Sequence, residues 1–174
     1  MIAFDPIYTH PVPQNHRFPM EKYALLYEAL LWEGIAEPTD FFTPEPASFE
    51  QLILVHSPTY VRQFLSLTLP QREAIRIGFQ QSEQLVRREV SLVGGTLQGA
   101  QYALENGCAF NIAGGTHHAF SNRGEGFCML NDQAVATAYL LKHLRISPIL
   151  IIDLDVHQGN GTAEIFAHTP EIFT

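Results

Sequence analysis

The sequence is poor in cysteine, in positive charge and in unbroken apolar stretches, and each shortage excludes something. Two cysteines, Cys108 and Cys128, among 174 residues cannot build a disulfide framework. Only 10 lysines and arginines stand against 18 aspartates and glutamates, a formal net charge of -8. Neutralising phosphates takes a clustered basic face, so direct nucleic-acid binding is not expected. The same balance gives no general attraction for an anionic substrate. No apolar run reaches the roughly 18 residues of a membrane-spanning helix, and the opening MIAFDPIYTH lacks the basic and apolar regions of a signal peptide. The expectation is a soluble, cytoplasmic protein with no membrane partner. What is present is 46% hydrophobic residues, enough in a chain of this length for one sizeable core and a single domain.

Along the chain, strand and helix patterns alternate. IAFD near the start reads as a short strand. Pro19 to Lys22 opens a helix whose apolar positions Tyr23, Leu26, Tyr27, Leu30 and Leu31 recur at helical spacing and stop at Gly34. Residues 35 to 47 are a Pro-rich loop. Ser48 and Gln51 have the form of a capping box for a short helix, and Ser57-Pro58 starts another that runs through Leu65. A long helical pattern covers 82 to 106, although Gly94-Gly95 inside it weakens the case for one unbroken helix. In the second half, AFNIA (109 to 113) is a strand, 114 to 130 a glycine-rich loop, Asn131 a helix cap and PILIIDL (148 to 154) a strand apolar on both faces. Such strands belong to parallel sheets covered by helices. The class is therefore α/β, with a parallel central sheet flanked by helices and a βαβ unit in the second half. EIFT at 171 to 174 reads as the start of a further strand.

Both polar clusters follow strands, where parallel sheets place their ligands. One is IIDLDVHQGNG. In extended backbone alternate residues share a face, so Asp153, Asp155 and His157 converge while Leu154 and Val156 pack on the other side. Carboxylate and imidazole at that spacing suit a borderline metal such as zinc. The plainer alternative is an aspartate held by backbone donors and a histidine that merely ends the strand, but three such residues ahead of Gly159, Asn160 and Gly161, which permit a tight turn, favour a site. A catalytic zinc normally takes three protein ligands, so a third is required. The other cluster is GGTHHAF, whose neighbouring His117 and His118 reach one site only from a loop. They are either ligands or the acid and base for water activated by a metal, against the alternative of an idle surface pair. GEGFCMLND (124 to 132) sets glycines beside Phe127. It offers a wall for a narrow apolar groove, although ordinary packing explains that composition better.

The combination of GGTHHAF, GEGFCMLND and IIDLDVHQGNGT resembles the histone deacetylase family of zinc amidohydrolases, which includes bacterial acetoin-utilisation and acetylpolyamine deacetylase relatives. HRFPMEKYALL and VHSPTYV extend the resemblance over nearly the whole chain. HRFPM, and Asn160 where most of the family has aspartate, are most similar to the class IV branch and its bacterial relatives. The resemblance implies the arginase/deacetylase-like sheet, incomplete in this chain, and hydrolysis of acetyl or other acyl groups from lysine or a similar amine. Asp155 and His157 are implied as zinc ligands, and His118 as the base that takes a proton from water and returns one to the leaving amine. His117 is implied as its electrostatic partner, held by Asp153, which also helps bind potassium or sodium. Asn160 would orient His118 without stabilising its charged form as a carboxylate does. Gly126 and Phe127 are implied in the acyl-lysine channel and Arg17 beside an acetate passage. The family's third zinc ligand, an aspartate, and its oxyanion donor, a tyrosine, lie downstream of this motif. Neither Asp5, Asp40 nor Asp132 sits in that context. The expectation is that 1 to 174 is the N-terminal part of one deacetylase domain, ending before the third ligand and hydrolysing little alone. Two other readings remain open: a deacetylase for acetylpolyamines or other small acylated amines, and a non-catalytic binding module that keeps the fold.

Overall fold

The computed structural model describes residues 1 to 174. Its strands are short: β1 (Ile2–Ala3), β2 (Phe41–Phe42), β3 (Phe110–Asn111), β4 (Ile149–Leu150) and β5 (Ile172–Phe173). The helices are α1 (Lys22–Trp32), α2 (Phe49–Leu52), α3 (Pro58–Leu65), α4 (Gln71–Ile77), α5 (Glu83–Asn106), α6 (Asp132–Leu144) and α7 (Asn160–Phe166). Every strand pair is parallel, as the doubly apolar segments predicted, in the orders β2-β1-β3 and β4-β5. The expected βαβ unit does not close. β3 and β4 flank α6 in sequence but lie in separate ladders, and Phe110 and Leu150 are both 64% exposed. The strands are also shorter than AFNIA and PILIIDL suggest, because a ladder persists only where a partner continues it. β2 falls inside the segment read as loop, since two aromatic residues between Asp40 and a Pro-rich stretch carry almost no strand signal.

Helix α5 organises the core. Ser82 caps it by accepting from the Leu85 N–H at 3.1 Å, and it runs unbroken for 24 residues, about 36 Å. The glycine pair does not interrupt it; it lets backbone and side chains come close. A Cβ on Gly94 would lie 2.0 Å from the Glu45 carbonyl oxygen, and one on Gly95 would lie 2.6 Å from the Tyr8 hydroxyl. Leu85, Leu92 and Val93 join Tyr8, Leu52, Val61, Phe64, Met129 and Leu130 in one buried cluster, each large side chain contributing about 2 kcal/mol by burial. Helix α1 departs from its pattern. Tyr23 is buried, but Leu26 is 45% exposed, so only part of the predicted apolar stripe is covered. Helix α4 was not legible, being seven residues between Pro70 and Gly78. No helix is long and apolar enough to cross a membrane.

His56, between α2 and α3, ties the core to the site. Its Nδ1 faces the Phe120 carbonyl at 2.9 Å, and its Nε2 accepts from the Asn131 N–H at 2.9 Å. The carbonyl can only accept and the amide can only donate, so the ring is a neutral imidazole with hydrogen on Nδ1. Burial pushes its pKa down to about 4, against weaker support for the charged form from the Phe120 carbonyl. The unfolded chain therefore binds this proton at higher pH than the folded chain. Stability should be fully present above about pH 6.5 and fall by roughly 3 kcal/mol as pH drops towards 4. His10, pushed down to about 4 chiefly by burial, acts in the same window. Urea unfolding from pH 7 to pH 4 should accordingly show a shallower loss for His56→Ala than for the parent, and equal slopes would exclude this linkage.

Candidate active site

The site begins with a carboxylate that holds a loop. Asp132, the first residue of α6, is 1% exposed. Its Oδ2 accepts from the Thr96 hydroxyl at 2.6 Å and the Gly115 N–H at 3.3 Å, and its Oδ1 accepts from the Thr116 N–H at 2.9 Å. The Thr116 hydroxyl lies between Asp132 Oδ1, at 2.6 Å, and the Leu130 carbonyl. These bonds fix the turn that precedes the histidine pair. The turn needs glycine at 114, where φ is +141° and a Cβ would stand 2.7 Å from the Asp132 carboxylate.

His117 and His118 leave this turn side by side, ring centroids 4.1 Å apart, and each finds its own acceptor. His117, 5% exposed, has Nδ1 at 2.5 Å from Asp153 Oδ2. His118 Nδ1 is 2.7 Å from Asn160 Oδ1. An amide oxygen accepts only, so Nδ1 of His118 carries a hydrogen, and in the neutral ring Nε2 is the nitrogen with the lone pair. The start of α7 locks the arrangement: the Gly161 and Thr162 N–H groups donate to the His117 carbonyl at 3.0 and 3.1 Å. Gly159 and Gly161 serve this approach, since a Cβ would stand 2.6 Å from Asp153 Oδ2 and 2.4 Å from the Ala119 carbonyl oxygen respectively. The predicted turn at 159 to 161 is thus the entry of a helix.

Asp153, Asp155 and His157 do gather here, though not by strand alternation. The chain leaves the ladder after Leu150, and each aspartate folds the next residues back. Asp153 Oδ1 accepts from the Asp155 N–H at 2.9 Å and Asp155 Oδ1 from the His157 N–H at 2.7 Å. Leu154 and Val156 do not pack beneath them; they are 92% and 93% exposed. Burial works to raise the Asp153 pKa, but the His117 bond and the Asp155 N–H outweigh it and hold the carboxyl below its ordinary value. Asp155 is held low by the His157 N–H and ring.

These groups open onto one cavity of about 510 Å³, lined by His117, His118, Asp155 and His157 with Arg17, Phe18, Lys22, Gly126 and Phe127. Asp153 and Asn160 stand behind the two imidazoles. Phe127 sits at φ +66° in an aromatic group with Phe18 and Phe79, both 5.3 Å away between ring centroids. Gly126 presents backbone to His118, where a Cβ would approach the ring to 3.0 Å. Cys128 also lines the cavity, but burial pushes its thiol up to about 12, so it stays protonated. Asp132 was missed as a site residue, because an aspartate following a capping asparagine reads as an ordinary first helical turn. Lys22 and Arg88, also on the wall, read as helix residues.

Asp155 and His157 test the fit of a metal. His157 Nδ1 and Asp155 Oδ1 lie 2.9 Å apart, near the roughly 3.3 Å that separates two donors on a tetrahedral zinc. The two atoms are joined by a hydrogen bond, and they would serve as two donors of such a site once Nδ1 gives up its hydrogen. No group of three His, Cys, Asp or Glu side chains is placed to hold an ion.

Fold and site together define a protein of the deacetylase-like α/β class. A solved histone deacetylase homologue from Aquifex aeolicus shares this fold with a TM-score of 0.84 and 29% identity, over 99% of this chain and 48% of the other. A profile of the histone deacetylase domain matches residues 16–174, and the chain belongs to that family. An uncharacterized protein of Picosynechococcus is 46% identical over 99% of the chain and 58% of its own length. The acetoin utilization protein AcuC of Bacillus subtilis is 34% identical over all of the chain and 48% of its own length. The chain spans about half the length of the curated relatives it matches.

Two variants test this construction. Asp132→Ala leaves buried donors of Thr96, Gly115 and Thr116 without their acceptor and should cost at least about 3 kcal/mol in denaturant unfolding. Asp153→Asn should lose less stability than the parent as pH falls through the carboxylate range below about 4, because a depressed carboxyl stabilises only while ionised. Identical acid limbs for the two proteins would refute the second.

Proposed function

We propose that this chain is the N-terminal part of a zinc-dependent amidohydrolase that removes acetyl or other acyl groups from lysine or a similar small amine. The observation that carries the reading is the convergence of His117 on Asp153 and His118 on Asn160 beside the Asp155–His157 donor pair. Asp155 and His157 would hold the zinc, which when bound supplies Lewis acidity towards the acyl carbonyl and acidifies water. His118 is the base, since Asn160 fixes the tautomer that exposes the Nε2 lone pair. The same nitrogen, once protonated, returns its proton to the departing amine. His117, held by its hydrogen bond to Asp153, supports negative charge developing on the substrate. Asp153 is also the residue about which a potassium or sodium ion would bind. Gly126 and Phe127 form one wall of the acyl-amine channel, and Arg17 flanks the acetate exit.

The reading places the third metal ligand and the oxyanion donor in sequence beyond residue 174, so the 174-residue chain alone should hydrolyse little. The test is zinc content and turnover of an acetyl-lysine peptide, for this chain and for one extended to the length of its relatives. The extended protein should hold one zinc and turn over. In it, His118→Ala should lower kcat by about 10²- to 10⁴-fold. Stoichiometric zinc with full turnover in the 174-residue chain would overturn the division of the site, and an extended protein inert towards every acylated amine would overturn the activity.

A further inference from the structure

The charge inside the cavity opposes the charge of the whole chain. Arg88 is 2% exposed, and its guanidinium bonds run through Nε to the Tyr8 carbonyl at 2.7 Å and through Nη1 to Glu89. The Tyr23 hydroxyl is a further hydrogen-bond partner of the guanidinium, and Arg88 lines the cavity wall. Lys22 stands on the same wall at the rim. The two cations share an aromatic ring: the Arg88 guanidinium is 5.0 Å and the Lys22 ammonium 5.1 Å from the centre of Tyr23. Burial and the positive charge of Arg88 both disfavour protonation of Lys22, against weaker support from Asp155. Glu89 is already engaged by Arg88, and Asp155 is occupied with His157. Two cations thus approach one ring, Arg88 already ion-paired with Glu89 and Lys22 bonded to no carboxylate of the protein.

Resting on the deacylase reading, we propose that Arg88 and Lys22 form a carboxylate subsite in this cavity, so that the acyl group removed there ends in a carboxylate, as succinyl does. A planar guanidinium on the cavity wall suits a carboxylate, and the ammonium adds a second point of charge. An anion at this place relieves the repulsion between the two cations, which a neutral acetyl methyl does not. Hydrolysis of such an amide breaks its C–N bond, delivers the water oxygen to the acyl carbon and a proton to the amine, and releases a dicarboxylate. The net charge of -8 sums over the whole chain and does not describe this wall.

The test separates the distal carboxylate of a dicarboxylic acyl group from the carboxylate that any deacylation releases. Succinate and acetate are titrated into the 174-residue chain at constant ionic strength, following the Arg88 Nε–H signal by NMR. Succinate should bind saturably and at least tenfold more tightly than acetate. Lys22→Met should remove most of that preference and Lys22→Arg restore it; Lys22 is on the rim, so neither change disturbs the core. Equal affinity for the two anions, or succinate binding indifferent to Lys22→Met, overturns the assignment. In the extended protein, succinyl-lysine should be cleaved with higher kcat/KM than acetyl-lysine. Cleavage of acetyl-lysine alone removes the subsite and leaves the deacylase reading. Lys22-dependent succinate binding without cleavage of any acyl-lysine removes the deacylase reading and leaves the subsite.

Discussion

The Asp132 carboxylate is the constraint on which the site depends. An ionisable group 1% exposed is tolerable only when its acceptor capacity is filled, and Thr96, Gly115 and Thr116 fill it. Those donors come from the core helix and from the turn before the histidines, so one buried group couples α5, α6 and the histidine loop. Its place at the start of α6 adds the favourable end of a helix dipole. The histidines are then placed by backbone geometry rather than by their own packing.

A second lock works from the opposite side. The first amides of α7 meet the His117 carbonyl, while Asn160, in the same turn, reaches His118. One short helix therefore positions both rings, one through the backbone and one through a side chain. The glycines at 159 and 161 are required because the contacts are too close for a Cβ. His56 completes the frame by joining the chain after the histidine loop to the start of α6. A neutral ring suits this place because one of its neighbours only accepts and the other only donates.

The sheet is organised differently from the site. Its two parallel ladders are not bonded to each other, and the apolar residues Phe110, Leu150, Ile152 and Phe173 are exposed along them. The clusters at 114 to 118 and 153 to 157 nevertheless meet in one cavity. Their union is carried by α6, α7 and the hydrogen bonds of Asp132, Asp153 and Asn160, not by a continuous sheet. This explains how a chain spanning about half the length of its relatives still presents an ordered set of polar groups.

Local chemistry in the sequence determined the parallel α/β class and the caps at Ser48, Ser57 and Asn131. Caps and apolar runs act over a few residues and are legible there. GGTHHAF and DLDVHQGNG were likewise readable as one chemical set. Tertiary structure alone decided how they meet. Asp153, Asp155 and His157 converge through side-chain-to-backbone turns instead of strand alternation, which requires the chain to leave its ladder at Leu150. It decided too that Gly94 and Gly95 sit inside an intact helix, because the groups they admit, Glu45 and Tyr8, are remote in sequence. Asp132 and Arg88 acquire their roles only from partners brought from elsewhere in the chain. Charge shows the difference most clearly: composition sums over the whole chain, whereas a cavity responds to the few groups within reach, and only folding selects which those are.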